Sequence, residues 1–355
     1  MSKKIFFIVL LSSSFYLLTS VFIWPYYLFL TKTLKISLLK TLLSLDSLKT
    51  YNDQVTILIL GIAGSQHDGG TLSDSMIVAN YNLKNHRLLT ISLPRDIWSD
   101  TLQDKINTAY AYGEAKQKNG GLKLAKAEVG AVIGIPIQYA LVIDFAKFKA
   151  LIDLLGGIEI DVDRSFTDKQ FPIPDRENAE CDGDPDFKCR YETVSFKKGI
   201  THMDGATVLK YVRSRHAVGV EGSDFARNKR QQKVLEAIKN KVFANIKKYN
   251  LNDLKKLYQV LDKLLTRDIS NQQVAIVVKN IIFLRDFAQK EISLSQDFFL
   301  VPDNNLYNGQ YVLMPREGNF ANLHLYIQCY RKNLDSRVSS FNTCETLKRG
   351  YTYQK

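Results

Sequence analysis

Asp224, Arg227 and Gln231 stand at helical spacing ahead of Val234, Leu235, Ile238 and Val242. Wound at 3.6 residues per turn, these residues share one face, and Lys229, Arg230, Lys233 and Glu236 fall on other sides. An acid, a guanidinium and an amide thus head an apolar stripe that a folded domain should bury. Desolvating such groups is costly unless they are paired or serve a ligand. Similar groups gather at three other places. Asp74 ends the Gly-rich stretch SQHDGGTLSD, Arg95 and Asp96 follow RLLTISLP, and Arg213 and Arg215 follow ATVLKYV. Carboxylates beside arginines suit phosphate chemistry. A hard divalent cation takes a few carboxylate oxygens and fills its shell with phosphate and water, while arginine forks grip the remaining phosphate oxygens. Phosphoryl transfer needs little beyond positioning, charge neutralisation and a base near the nucleophile. Each group also has an ordinary structural reading. Arg213 and Arg215 complement a helix dipole, Asp224 is an N-cap or bridges Arg227, and Asp74 after Ser73 makes an Asx turn. An anion site accounts for all of them at once.

The elements that must position these groups are legible as alternating strands and helices. VTILILG (55–61) is a short β-branched run and reads as a buried strand. MIVANY (76–81) and RLLTISL (87–93) flank NLKNH and read as a hairpin. In an antiparallel pair, Asp74 and Asp96 then lie at adjacent strand ends. Helices are predicted over 106–117, 122–133 and 145–155, with strands at 138–144 and 158–163. Residues 164–198 are polar and carry three of the eight prolines, which predicts an irregular surface excursion. Asp204 is a candidate N-cap for a helix running into Arg213, and a second helix covers 224–245. Basic helix follows to about residue 290, read as a solvated face, then late strands at 298–302 and 310–315 and a helix around 320–330. Strands interspersed with helices imply a layered α/β domain.

The chain has 355 residues, 45% of them hydrophobic, enough for a sizeable core. Its net charge of +12 points to an anionic partner such as phosphate, nucleic acid, acidic lipid or acidic polymer, or else to solubility alone. After MSKK, residues 5–30 carry no charge and exceed the span of a bilayer. No small-residue cleavage site is evident, which favours a retained anchor over a removed signal peptide. Lysines flank both ends, so the positive-inside rule leaves orientation open. Residues 31–54 read as a stalk or a first helix packing on the domain. The spacing of Cys181, Cys189, Cys329 and Cys344 suggests two local disulfide loops, 181–189 and 329–344, among three possible connectivities, with free thiols the other reading. No CxxC occurs, and no histidine lies near at zinc spacing.

The stretches LSDSMIVANYN, LLTISLPRDIW, KINTAYAYG, VIGIPIQYALVIDFAKFKALIDLLGGIEIDV, HMDGATVLKYVRSRH and DFARNKRQQKVL resemble, in order and spacing, successive motifs of the LytR–CpsA–Psr family over residues 55–245. QYVLMPREGNF is similar to a late segment of some members. The resemblance implies a three-layer α/β/α domain with a central mixed sheet behind one transmembrane helix. The order is then a cytoplasmic tip (1–4), an anchor (5–30), a stalk (31–54), a catalytic domain (55–290) and a C-terminal extension (291–355). It implies an N-inside, single-pass protein of the cell membrane with its catalytic domain outside the cytoplasm. The implied activity is transfer of a glycopolymer from a polyprenyl-pyrophosphate carrier to a wall acceptor such as peptidoglycan, with Mg²⁺ as cofactor and no nucleic-acid partner. By the same resemblance Asp74 ligates the metal, and Arg95, Arg213, Arg215, Arg227 and Gln231 hold the pyrophosphate. Asp96 and Asp224 lie in the site as structural partners or proton acceptors. One departure stands out. Members commonly place a metal-binding aspartate just after the first strand, where this chain has Ala63 and Gly64. Asp68, or less suitably His67, is the candidate substitute, since Mg²⁺ prefers oxygen. Two rival readings remain: a lipid-pyrophosphate hydrolase, and a non-catalytic surface protein binding anionic glycopolymer or DNA through its basic surface.

Overall fold

The computed structural model describes residues 20, 23–44, 48–64, 70–173, 176, 178–245, 248–282, 288–294, 297–333 and 344. The strands are β1 (Gln54–Ile62), β2 (Ser73–Asn82), β3 (Arg87–Leu93), β4 (Trp98–Ser99), β5 (Asp104–Lys105), β6 (Tyr139–Asp144), β7 (Ile158–Val162), β8 (Phe166–Pro172), β9 (Tyr191–Phe196), β10 (Gly199–Met203), β11 (Leu265–Arg267), β12 (Ala288–Ser293), β13 (Phe299–Leu300) and β14 (Met314–Pro315). The α-helices are α1 (Leu38–Leu43), α2 (Ala109–Lys116), α3 (Gly120–Ile133), α4 (Phe145–Leu154), α5 (Gly205–Arg213), α6 (Asp224–Asn245), α7 (Leu251–Leu264), α8 (Asn271–Ile282) and α9 (Ala321–Asn333). The chain forms two compact units: residues 1–62, 71–143 and 266–355 make the first, and 63–70 and 144–265 the second.

The first unit is built on a six-stranded mixed sheet in the order β11-β6-β1-β2-β3-β12. β1 pairs antiparallel with β2, β2 antiparallel with β3, and β12 parallel with β3. The hairpin read from the sequence is therefore present. Leu58 and Leu60 of β1, Val78 of β2, and Leu89 and Ile91 of β3 are fully buried. They join a core with Leu122, Val129, Val132 and Ile133, which recur at helical spacing along α3. α3 stops at Gly134, whose φ of +69° and contact with the His324 ring both exclude a side chain. Burying groups of this size is worth about 1.5–3 kcal/mol each. The late segment is part of this core: Phe299, Leu313, Tyr326, Ile327 and Tyr330 pack into it, and β12 spans the boundary placed at residue 290. The fold is thus mixed α/β, and residues beyond 290 complete its core. Cys329 and Cys344 are joined, as are Cys181 and Cys189, matching the local pairing.

The second unit contains α4 to α7 and two short ladders, β7 with β10 and β8 with β9. Residues 164–198 are not irregular throughout. Phe166, Phe171, Val194 and Phe196 alternate inward along β8 and β9, and the polar residues between them hid the strand period. Phe166, Phe196 and Tyr211 pack in tilted and edge-to-face pairs with ring centroids 5.0–6.1 Å apart. Asp204 caps α5, its carboxylate accepting from the Thr207 N–H at 2.8 Å.

Among the described residues no helix is long and apolar enough to cross a membrane. Most of the apolar run 5–30 lies outside the described residues.

Candidate active site

In the first unit the β2–β3 register sets Met76 opposite Leu93. Two residues further along each strand, Asp74 comes level with Arg95. Pro94, which lacks an N–H, ends the β2–β3 ladder before Arg95 and Asp96. Arg95 Nη1 donates to Asp74 Oδ1, and Arg95 Nε lies 3.7 Å from Asp96 Oδ2. Lys105 Nζ then donates to Asp96 Oδ1 at 3.1 Å. Lys105 arrives through the β4–β5 ribbon, where it pairs with Trp98. The row alternates Asp74, Arg95, Asp96, Lys105, and all four side chains are partly exposed. The structure thus brings together the three predicted residues of this unit and adds Lys105, which sequence periodicity did not mark. Beside Asp74, the buried Ser73 Oγ has no hydrogen-bond partner among the described residues.

In the second unit Arg213 is the last residue of α5, half-buried, and Arg215 is exposed. Two buried charges fix the segment that carries them. Asp168 of β8 has no solvent exposure. Its Oδ2 accepts from Ser214 Oγ at 2.6 Å, Arg215 N at 3.0 Å and His216 N at 3.1 Å, and its Oδ1 from Gln170 N at 2.9 Å. Burial alone would push this carboxyl up, but the donors from Ser214, His216, Gln170 and Arg215 outweigh it and hold it below the usual carboxylate range. From the other side comes Arg230 of α6, 3% exposed. Its Nε donates to Tyr211 O at 2.9 Å, its Nη2 to Ser214 O at 2.6 Å, and its Nη1 to Glu221 O at 2.9 Å and Oε2 at 3.1 Å. Its guanidinium also lies 4.8 Å from the Phe166 ring centre. Burial pulls the Arg230 pKa down, against Glu221, and pushes the Tyr211 phenol up to about 12.

α6 spans residues 224–245, as its spacing predicted. Ser223 fills the N-cap role, its Oγ accepting from the Ala226 N–H at 3.2 Å, and Asp224 begins the helix proper. Arg227 is buried, Gln231 half-buried and Val234 buried, following the predicted face. Arg230, assigned to another side, is buried too. The covered stripe of α6 is wider than one row, because the 211–221 segment lies against it through the Arg230 bonds. Those bonds set the first turns of α6, with Arg227, beside the backbone between Arg213 and Arg215.

Asp68 and His67 lie outside the described residues. Position 64 cannot hold the missing carboxylate in this backbone. Its φ is +96°, and a Cβ there would collide with the Asp144 carboxylate and Ala146. Among the described residues no group of three or more His, Cys, Asp or Glu could hold a metal ion. Mg²⁺ commonly takes only one or two carboxylates when phosphate oxygens complete its shell. Asp74 fits that use, and the described residues do not form a protein cage for the ion.

Comparison with known proteins identifies the family of the chain. Residues 32–324 match the model of the LytR_cpsA_psr family. Over 204 residues the chain is 28% identical to a Bacillus cereus protein named polyisoprenyl-teichoic acid–peptidoglycan teichoic acid transferase TagU, covering 56% of each chain. It is 31% identical over 194 residues to the regulatory protein MsrR of Staphylococcus aureus, covering 53% of this chain and 49% of the relative. The chain spans about half the length of the curated relatives it matches. Among solved structures it is similar to B. subtilis TagV, with a TM-score of 0.51 and 25% identity, covering 81% of this chain and 100% of that one. A structure titled TagT bound to LI-WTA gives a TM-score of 0.50 at 23% identity, covering 79% and 93%, a likeness of fold.

Proposed function

The chain belongs to the LytR_cpsA_psr family, and we propose that it is a membrane-anchored, extracytoplasmic phosphotransferase. Its donor is a glycopolymer on a polyprenyl-pyrophosphate carrier, and its acceptor is a wall polymer such as peptidoglycan. The observation that carries this reading is the pair of charged arrays. One is the Asp74–Arg95–Asp96–Lys105 row. The other is the Arg213–Arg215 segment, fixed between two buried charges on Asp168 and Arg230. A guanidinium held in advance, as Arg95 is, and a fixed backbone under Arg213 and Arg215 both lower the ordering cost of binding a polyanion. The names borne by relatives support the same substrate class.

In this mechanism a hydroxyl of the acceptor attacks the phosphorus that bears the glycopolymer. A new P–O bond forms, the anhydride P–O bond breaks, and polyprenyl phosphate leaves with the bridging oxygen. The product is a phosphodiester, and the hydroxyl proton passes to a carboxylate, with Asp96 and Asp224 the candidates. Arg95 in the first unit, and Arg213, Arg215, Arg227 and Gln231 in the second, are the groups proposed to meet phosphate oxygens and balance their charge. When Mg²⁺ is bound, Asp74, with Asp68 as the second candidate, would hold it, and the ion would add charge neutralisation there. The apolar run 5–30 keeps the site near a donor confined to the bilayer, which raises its effective concentration.

The test is replacement of Arg213 and Arg227 by alanine, one at a time. Loss of transfer by about a hundredfold or more, with the variant still folded, is expected if each meets a phosphate. Full activity in a folded variant would remove that residue from the site.

A further inference from the structure

We propose that α1 lies on the surface of a lipid bilayer, with its leucine face in the boundary between headgroups and acyl chains. The inference rests on the reading of residues 5–30 as an anchor. Leu38, Leu39, Leu42 and Leu43 span one side of the helix, and they are 47%, 64%, 68% and 60% exposed. No residue of α1 is buried. The polar side is the one that holds it to the domain. Ser37 N donates to Gln272 Oε1 at 2.6 Å, and Gln272 Nε2 donates to Thr41 Oγ1 at 2.8 Å. Asn271 Nδ2 donates to Leu34 O at 2.9 Å, and Lys279 Nζ to Ser44 Oγ at 2.8 Å. In each of these bonds the partner on the domain, Asn271, Gln272 or Lys279, belongs to α8. A helix packed on a water-soluble domain turns its apolar stripe inward. This one is reversed: it is bound by hydrogen bonds and presents four leucines outward, a face that means contact with something apolar.

Chain continuity identifies the occupant. The uncharged run ends at Leu30, only eight residues before Leu38, a reach of at most about 28 Å. Trp24, Tyr26 and Tyr27, exposed on the same approach, are residues that favour the membrane interface. Lys32, Lys35 and Lys40 accompany the leucines without a single acid between residues 31 and 45. That composition suits anionic headgroups and argues against an acidic-aqueous face. An apolar helix face of this kind sinks about 5–10 Å into the headgroup boundary. Its hydrogen bonds to α8 would then set the height and tilt of the first unit over the bilayer.

The experiment uses the full chain in vesicles of phosphatidylglycerol and phosphatidylcholine. All four native cysteines are paired, so Leu39→Cys or Leu42→Cys supplies one free thiol for an environment-sensitive fluorophore. A probe buried at the headgroup boundary should be quenched by lipids bearing a nitroxide near the headgroup, and aqueous iodide should remove little of its emission. Quenching by iodide and not by the lipid nitroxide would overturn the proposal. So would a probe shielded from both, which would place a second copy of the chain on the leucines. Resistance to alkaline carbonate extraction reads the anchor separately. A chain that resists extraction while its probes stay in water keeps the anchor and loses α1 as a surface helix.

Discussion

Replacing Asp168 by asparagine should unfasten the segment that carries Arg213 and Arg215. The carboxylate is fully buried and meets only donors: one hydroxyl and two N–H groups on Oδ2, and one N–H on Oδ1. An asparagine oxygen can serve one of these sides, and its NH₂ then faces donors on the other. Hydrogen bonds to a charged acceptor contribute about 1.5–3 kcal/mol each, and an orphaned buried donor costs about 1–3 kcal/mol. Losing the Oδ2 side, with Ser214 Oγ free to rotate away, gives about 3–5 kcal/mol, which is a large share of the roughly 5–15 kcal/mol that holds a typical domain together. Urea unfolding of the full chain, followed by a probe in the second unit, reads this loss directly. The effect also depends on pH. The folded carboxyl is held below its unfolded value, so its contribution is whole above about pH 4 and fades as the pH falls through the folded value. The asparagine variant should lack that acid limb. Wild-type stability with an unchanged acid limb would refute the clamp.

Arg230→Lys should destabilise the second unit by about 2–4 kcal/mol and weaken transfer, because one ammonium cannot reproduce a fork bonded to Tyr211, Ser214 and Glu221; denaturant titration and turnover check it. Removing divalent ions with EDTA should stop transfer yet leave the melting temperature unchanged without donor, since the described residues form no metal cage. A large melting shift on EDTA alone would contradict that. Reducing the disulfides, with sequence separations of 8 and 15, should cost about 2.5 and about 3 kcal/mol in the loop-entropy model, read as a lower melting temperature in dithiothreitol.

What the sequence revealed, and what it hid, follows from periodicity. The strand–turn–strand pattern predicts that Asp74 and Asp96 lie at adjacent strand ends, and the β2–β3 register delivers that meeting with Arg95 paired to both carboxylates. α6 and the buried position of Arg227 followed from the 3.6-residue period. The helical wheel misplaces Arg230 because it locates a face but not its width, and width depends on which distant segment packs there. The roles of Asp168 and Lys105 are not legible in the sequence for a related reason. An acid within a polar stretch looks solvated until the Phe166–Phe171 alternation around it is seen as a strand, and Lys105 reaches Asp96 only through a two-residue ribbon. The late segment looked like an appendage because its strands β13 and β14 are short, although its aromatics fill the first unit's core.

The central claim is phosphoryl transfer from a lipid-linked donor, and product analysis tests it most directly. The full chain in detergent would be given a polyprenyl-pyrophosphate-linked saccharide and a peptidoglycan fragment, with Mg²⁺ or EDTA, and the products identified by mass spectrometry. A saccharide joined to the fragment through a phosphodiester, with polyprenyl phosphate released in equal amount and only when Mg²⁺ is present, is the predicted result. Free saccharide phosphate in place of the conjugate would contradict it and make the protein a hydrolase.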